Sequence, residues 1–215
     1  MSNINSGQAR MSLAEMGEKM KGMATWFWVT AFLSFLIFPP IVFLIKYFGY
    51  ISKLGKVKDA TGDPDLERSY KMELGSLLLQ IFGPIIAIAV IFSMLSGFSI
   101  DLFLSGAGFT YIVILLVLAV SLPFILKIMA LSSLRDWASN TLGRGGNYDY
   151  ASQEIIKGTK SMKTGAILSV IPLLNIIGTI IYYVKMKKVG KALINKFGTT
   201  GGYQGGSPGP APARY

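Results

Sequence analysis

Apolar and charged positions are segregated along this chain rather than interleaved. Four stretches, residues 22–45, 74–100, 102–126 and 164–184, contain no Asp, Glu, Lys or Arg. Each reaches the roughly 20 residues with which an α-helix crosses about 30 Å of hydrocarbon. The pattern predicts an all-α integral membrane protein with four apolar segments. Charged intervals between and after these stretches repeat apolar residues at helical spacing. Tyr47, Tyr50, Ile51, Leu54 and Val57 form one stripe, Ile128, Leu131, Leu134 and Trp137 a second, and Met186, Val189, Leu193 and Phe197 a third. The stripes predict short amphipathic helices that continue the membrane segments and lie in the interface. Lys53, Lys56, Lys58, Lys187, Lys188 and Lys191 are then the candidate contacts to anionic lipid head groups.

Local signals place further boundaries. Asp63-Pro64 predicts a helix start: Asp63 can cap the first turn, Pro64 has its fixed φ at the first helical position, and Asp65 and Glu67 suit the positive end of the dipole. That helix runs through Tyr70 into the second apolar segment. Gly143, Gly145 and Gly146 predict a turn before a short polar helix over residues 151–160. The Gly- and Pro-rich stretch 198–215 predicts a tail without a core of its own. Residues 1–21 read as a polar leader rather than a removable signal peptide, and residues 22–197 as the membrane domain.

Every apolar segment carries a potential break: Pro39-Pro40 in the first, Gly83-Pro84 in the second, Pro123 in the third, and Pro172 with Asn175 and Gly178 in the fourth. Pro84 and Pro123 read as kinks within spans. The first and fourth segments resemble each other without a gap. One register pairs Ala31 and Ser34 with Ala166 and Ser169, Ile41 and Ile45 with Ile176 and Ile180, and Tyr47 with Tyr182. It also pairs Lys53, Gly55 and Lys56 with Lys188, Gly190 and Lys191. An internal repeat of residues 31–58 and 166–193 is therefore expected, with Pro39-Pro40 falling near the break at 172–175.

Charge decides between two topologies. Lys and Arg number three before the first segment, six in 46–73, none in 96–110, six in 127–163 and six after 184. Four single crossings would set twelve positive residues against nine, a poor positive-inside bias. If segments one and four instead enter and return as hairpins, all 21 positive residues share one side. The expected fold is two full spans flanked by two Pro-broken segments, read as re-entrant hairpins with kinked spans as the alternative, and basic loops in the cytoplasm.

Composition narrows the chemistry. Of 215 residues 52% are hydrophobic and only 15% charged, the net charge is +10, and there is neither His nor Cys. The usual transition-metal ligands, thiolate nucleophiles, disulfides and His-based catalytic pairs are thereby removed. Five of the eleven acidic residues cluster in the charged connection 59–73, which is read as a solvated surface. The expectation is a non-catalytic protein without metal or cofactor, an accessory, scaffold or membrane-organising subunit with lipid and protein partners or a homo-oligomer. The positive charge lies beside spans, which argues for membrane electrostatics rather than nucleic acid. The alternative is a passive small-solute channel or transporter subunit built on broken helices. Its candidate lining is Pro39, Pro40, Gln80, Pro84, Pro123, Pro172 and Asn175.

Residues 31–58 with Asp63-Pro64-Asp65-Leu66-Glu67, and residues 165–191, resemble a group of small multi-pass archaeal membrane proteins of unknown function. These motifs cover under half of the chain. The resemblance implies an archaeal cytoplasmic membrane and carries no functional residues with it.

Overall fold

The computed structural model describes residues 6–33, 38–97, 106–143, 149–171 and 173–198. Among them the regular elements are six helices: α1 (Gly7–Phe32), α2 (Phe38–Thr61), α3 (Pro64–Gly97), α4 (Ala107–Leu142), α5 (Tyr150–Val170) and α6 (Asn175–Phe197). Each helix packs against its neighbour in the chain, and α6 returns to pack on α1. The six thus close a ring in chain order, with successive helices antiparallel because the connections are short.

Polar caps and prolines set the boundaries. Ser6 Oγ accepts from Ala9 N at 3.2 Å to open α1, and Asp149 Oδ1 accepts from Ser152 N at 2.7 Å to open α5. Asp63 Oδ1 accepts from Asp65 N at 2.9 Å, so the expected cap at Pro64 is the one α3 uses. Phe38, Pro39 and Pro40 form the first turn of α2, where a missing N–H costs no helix bond. Pro84 and Pro123 lie inside α3 and α4, both of which continue past them. Pro172 and residues 34–37, 98–105, 144–148 and 199–215 lie outside the described residues, so the Gly-rich turn and tail expectations rest on the sequence.

Burial divides the ring into two halves. At one end Leu13, Met16, Met20, Leu54, Leu66, Trp137, Ile155, Met162, Met186 and Val189 form a continuous core, each 1% exposed or less. Burying one such leucine contributes about 2 kcal/mol. At the other end apolar side chains face outward: Phe32, Ile41, Ile85, Phe92, Val117, Leu173 and Ile176 are all about half exposed or more. Among the described residues one helix, Pro64–Ser93, is long and apolar enough to cross a membrane, and only 22% of its most apolar window is buried.

Three expectations change. The apolar stripes expected to lie in the interface instead face one another: Tyr47, Leu54 and Val57, Leu131, Leu134 and Trp137, and Met186, Val189 and Leu193 all belong to the core. Periodicity identifies a buried face, and here helices rather than lipid bury it. The polar leader is not separate from the rest, because residues 7–21 are the first turns of α1 and carry Leu13, Met16 and Met20 into that core. The polar helix expected over 151–160 extends to Val170, since Ile155, Met162 and Ala166 keep one face apolar into the fourth segment.

Ring closure depends on close backbone approach. A Cβ on Gly17 would stand 2.6 Å from Gly190 O, where α1 meets α6, and one on Gly165 would stand 2.8 Å from Gly178 O, where α5 meets α6. On the charged surface Lys53 of α2 pairs with Glu15 of α1. Lys196 near the end of α6 reaches Asp149 Oδ2 at 2.8 Å and Ser152 Oγ at 2.6 Å, tying α6 to the start of α5.

Candidate functional site

Where the packed half meets the apolar half, the helices leave a cavity of about 340 Å³. Its walls come from Phe27 of α1, Leu79, Gln80 and Pro84 of α3, Pro123, Phe124 and Lys127 of α4, Ala166 and Ser169 of α5, and Asn175, Thr179, Tyr182 and Tyr183 of α6. Five of the six helices contribute. The wall is graded: Gln80, Pro84 and Asn175 are exposed, whereas Lys127, Ser169, Tyr182 and Tyr183 are buried. The mouth therefore lies at the level of the outward-facing Ile85, Ile86 and Ile176, and the floor lies against the core.

Lys127 is the charged side chain on that wall and is only 7% exposed. Its ammonium stands 4.6 Å from the ring centre of Tyr182 and 4.9 Å from that of Tyr47, between two aromatic faces. Such contacts recover part of the hydration that a cation loses on burial. The register read in the sequence pairs these same tyrosines, one from each stretch of the expected repeat.

Glu73 of α3, 1% exposed, lies behind this layer. Its Oε1 accepts from the Tyr47 hydroxyl at 3.0 Å, while Oε2 has no hydrogen-bond partner among the described residues. Glu73 and Lys127 are close enough for their charges to interact, yet form no direct ion pair. A buried pair held apart in this way leaves both charges incompletely compensated. Tyr50 stacks near Tyr47 at 6.3 Å, and Tyr183 stacks on Phe27 at 3.7 Å, so aromatic rings enclose the floor.

Hydrogen bonds fix the remaining wall. Ser76 Oγ donates to the Pro123 carbonyl at 2.8 Å, joining α3 to α4, and Gln80 Nε2 donates to Ser76 Oγ at 3.4 Å. Ser169 Oγ donates to the Ala166 carbonyl at 2.7 Å, and Asn175 Nδ2 donates to the Ser169 carbonyl across the α5–α6 break. The arrangement offers a buried cation and fixed polar groups below a mouth surrounded by exposed Ile85, Ile86 and Ile176. It is suited to binding and orienting a polar or anionic group.

Four of the residues singled out as candidate lining, Gln80, Pro84, Pro123 and Asn175, meet at this cavity. The side chains of Pro39, Pro40 and Pro172 lie outside the described residues. The six lysines singled out for lipid do not converge on it. Lys53 pairs with Glu15, and Lys58 pairs with Asp59 at 3.0 Å and stands 5.1 Å from the Tyr70 ring centre. Lys56, Lys188 and Lys191 are exposed and Lys187 half-buried.

The sequence pattern does not single out Glu73 or Lys127. Glu73 immediately precedes the run 74–100 and Lys127 immediately follows 102–126. The two stand equally far from residue 100, so an antiparallel α3–α4 pair brings them to one level, and that symmetry was the available signal. Among the described residues no group of three or more His, Cys, Asp or Glu could hold a metal ion. Family models, curated proteins and solved structures give no match to the chain.

Proposed function

We propose that the chain is a non-catalytic, multi-pass membrane protein, an accessory or membrane-organising subunit. In this reading α3 and α4 cross the bilayer, while α1–α2 and α5–α6 dip into one leaflet as hairpins and return. The observation that carries it is the division of the ring. One half buries its apolar residues beneath a charged surface, and the other turns Phe32, Ile41, Phe92, Val117, Leu173 and Ile176 outward. In water that exposed area favours aggregation, whereas in hydrocarbon it costs nothing.

Partner recognition falls to the basic surface and the outward apolar faces. Native mass and subunit content after mild extraction from the source membrane test this. A defined complex with other subunits, or a homo-oligomer that reshapes liposomes, agrees with the proposal. A monomer that leaves liposome shape unchanged and conducts a solute contradicts it. The cavity favours a second reading, solute handling by the α3–α6 helices, because four predicted lining residues meet there. Conduction is disfavoured by the floor, where Lys127 lines the cavity with its ammonium 4.9 Å from the ring centre of the core residue Tyr47.

A further inference from the structure

We infer that the cavity among α1, α3, α4, α5 and α6 binds the anionic head group of a membrane lipid, with Lys127 as its counter-charge and the acyl chains left outside. The inference rests on the membrane reading above. Three observations carry it. Lys127 is a buried lysine lining the cavity, its ammonium beside the Tyr47 and Tyr182 rings and with no carboxylate in ion-pair contact among the described residues, so its charge is compensated only by aromatic faces and the more distant Glu73. A cation buried in this state gains from an anionic partner.

The second observation is direction. The mouth at Gln80, Pro84 and Asn175 opens among exposed Ile85, Ile86 and Ile176, a setting suited to acyl chains and poor for a free hydrophilic solute. The third is size. About 340 Å³ lies at the lower end of small-ligand pockets and admits a phosphate head but not a whole diacyl lipid. Thr179 and Tyr182 line the same cavity and carry hydroxyls able to donate to phosphate oxygens. Basic pockets between membrane helices hold lipid heads by this chemistry.

The probe is the full chain in a neutral detergent, with phosphatidylglycerol, phosphatidylcholine or inorganic phosphate added and bound lipid counted by native mass spectrometry. Wild type is expected to bind one phosphatidylglycerol at least about tenfold more tightly than phosphatidylcholine, about 1.4 kcal/mol. Lys127→Met alone would strand Glu73, so the charge test is the double variant Lys127→Met/Glu73→Gln, which abolishes the preference. Thr179→Phe fills the cavity without touching either charge and also abolishes it. A Lys187→Met/Lys188→Met/Lys191→Met variant retains it.

Persistence of the preference in the first two variants, or its loss in the surface variant, overturns the inference. So does binding of inorganic phosphate as tight as that of the lipid. Flotation with phosphatidylcholine vesicles separates the two levels of the argument. A chain that floats without a head-group preference overturns the lipid site alone, and one that does not float overturns the membrane reading with it.

Discussion

Gly165→Ala tests whether the α5–α6 hairpin is as tight as the structure requires. A Cβ at this position would stand 2.7 Å from Tyr182 N and 2.8 Å from Gly178 O. Both obstacles are backbone, so neither can turn aside as a flexible side chain would. Overpacking costs about 1–3 kcal/mol, and fixed obstacles place this case at the upper end. Replacing a helical glycine by alanine returns about 1 kcal/mol of helix propensity. The net expectation is a loss of about 2 kcal/mol, or a fall in Tm of about 4–8 °C for a chain of this size. Gly22→Ala is the internal control: nothing lies within 4 Å of its added Cβ, and it should gain up to about 1 kcal/mol. Both variants are compared by thermal unfolding followed by far-UV circular dichroism in one mild detergent. Displacement at Gly165 also moves Tyr182 from Lys127, so Gly165→Ala should weaken lipid-head preference in step with stability. A Gly165→Ala protein as stable as Gly22→Ala would refute the close approach.

Further predictions concern the charged groups. Although partial burial pushes Asp149 upward, hydrogen bonds from Lys196 and Ser152 outweigh it and hold its carboxyl at about 2, below its ordinary 3.8. A depressed carboxyl stabilises the fold above its unfolded value, so the stability gap between wild type and Asp149→Asn should be constant above about pH 4 and vanish towards pH 2. Denaturant titration across that window checks this, and a gap that persists at pH 2 contradicts it. Tyr47→Phe removes the one donor held by the Glu73 carboxylate and should cost about 2 kcal/mol. Adding Glu73→Gln should recover part of that loss, whereas additive losses in the double-variant cycle would show that the contact contributes nothing. Breaking the partly exposed Lys53–Glu15 pair with Lys53→Met should change stability by less than about 1 kcal/mol, with a larger loss in the same melts contradicting it.

Much of the helix order was legible because its punctuation is local. Asp63-Pro64 caps a helix by its own geometry, Pro39-Pro40 and Pro172 stand where helices must restart, and Pro84 and Pro123 are tolerated inside long ones. What buries a stripe is not local. Leu54, Trp137 and Val189 repeat at helical spacing whether lipid or protein covers them, so the ring that covers them could not be read from periodicity. The site was legible in part for the same reason. Gln80 and Asn175 stood out as polar residues within uncharged runs. Glu73 and Lys127, at the edges of such runs, looked like ordinary solvated flanks until the antiparallel α3–α4 pair and the two tyrosines enclosed them. The cap contact of Asp149 to Ser152 N is local, but its ion pair is not legible in sequence, because Lys196 arrives from the far end of α6.

The central claim is that both broken segments enter and leave on one face of a bilayer. The chain contains no native cysteine, so single introduced cysteines report cleanly. Gln8→Cys, Lys56→Cys and Lys191→Cys, each at an exposed position of the charged half, are labelled in sealed vesicles with an impermeant maleimide, alongside Thr110→Cys at the start of α4. The account predicts labelling of the first three from one side and of Thr110→Cys only from the other. Labelling of Gln8→Cys and Lys56→Cys from opposite sides would make α1–α2 a plain crossing and contradict the hairpin architecture.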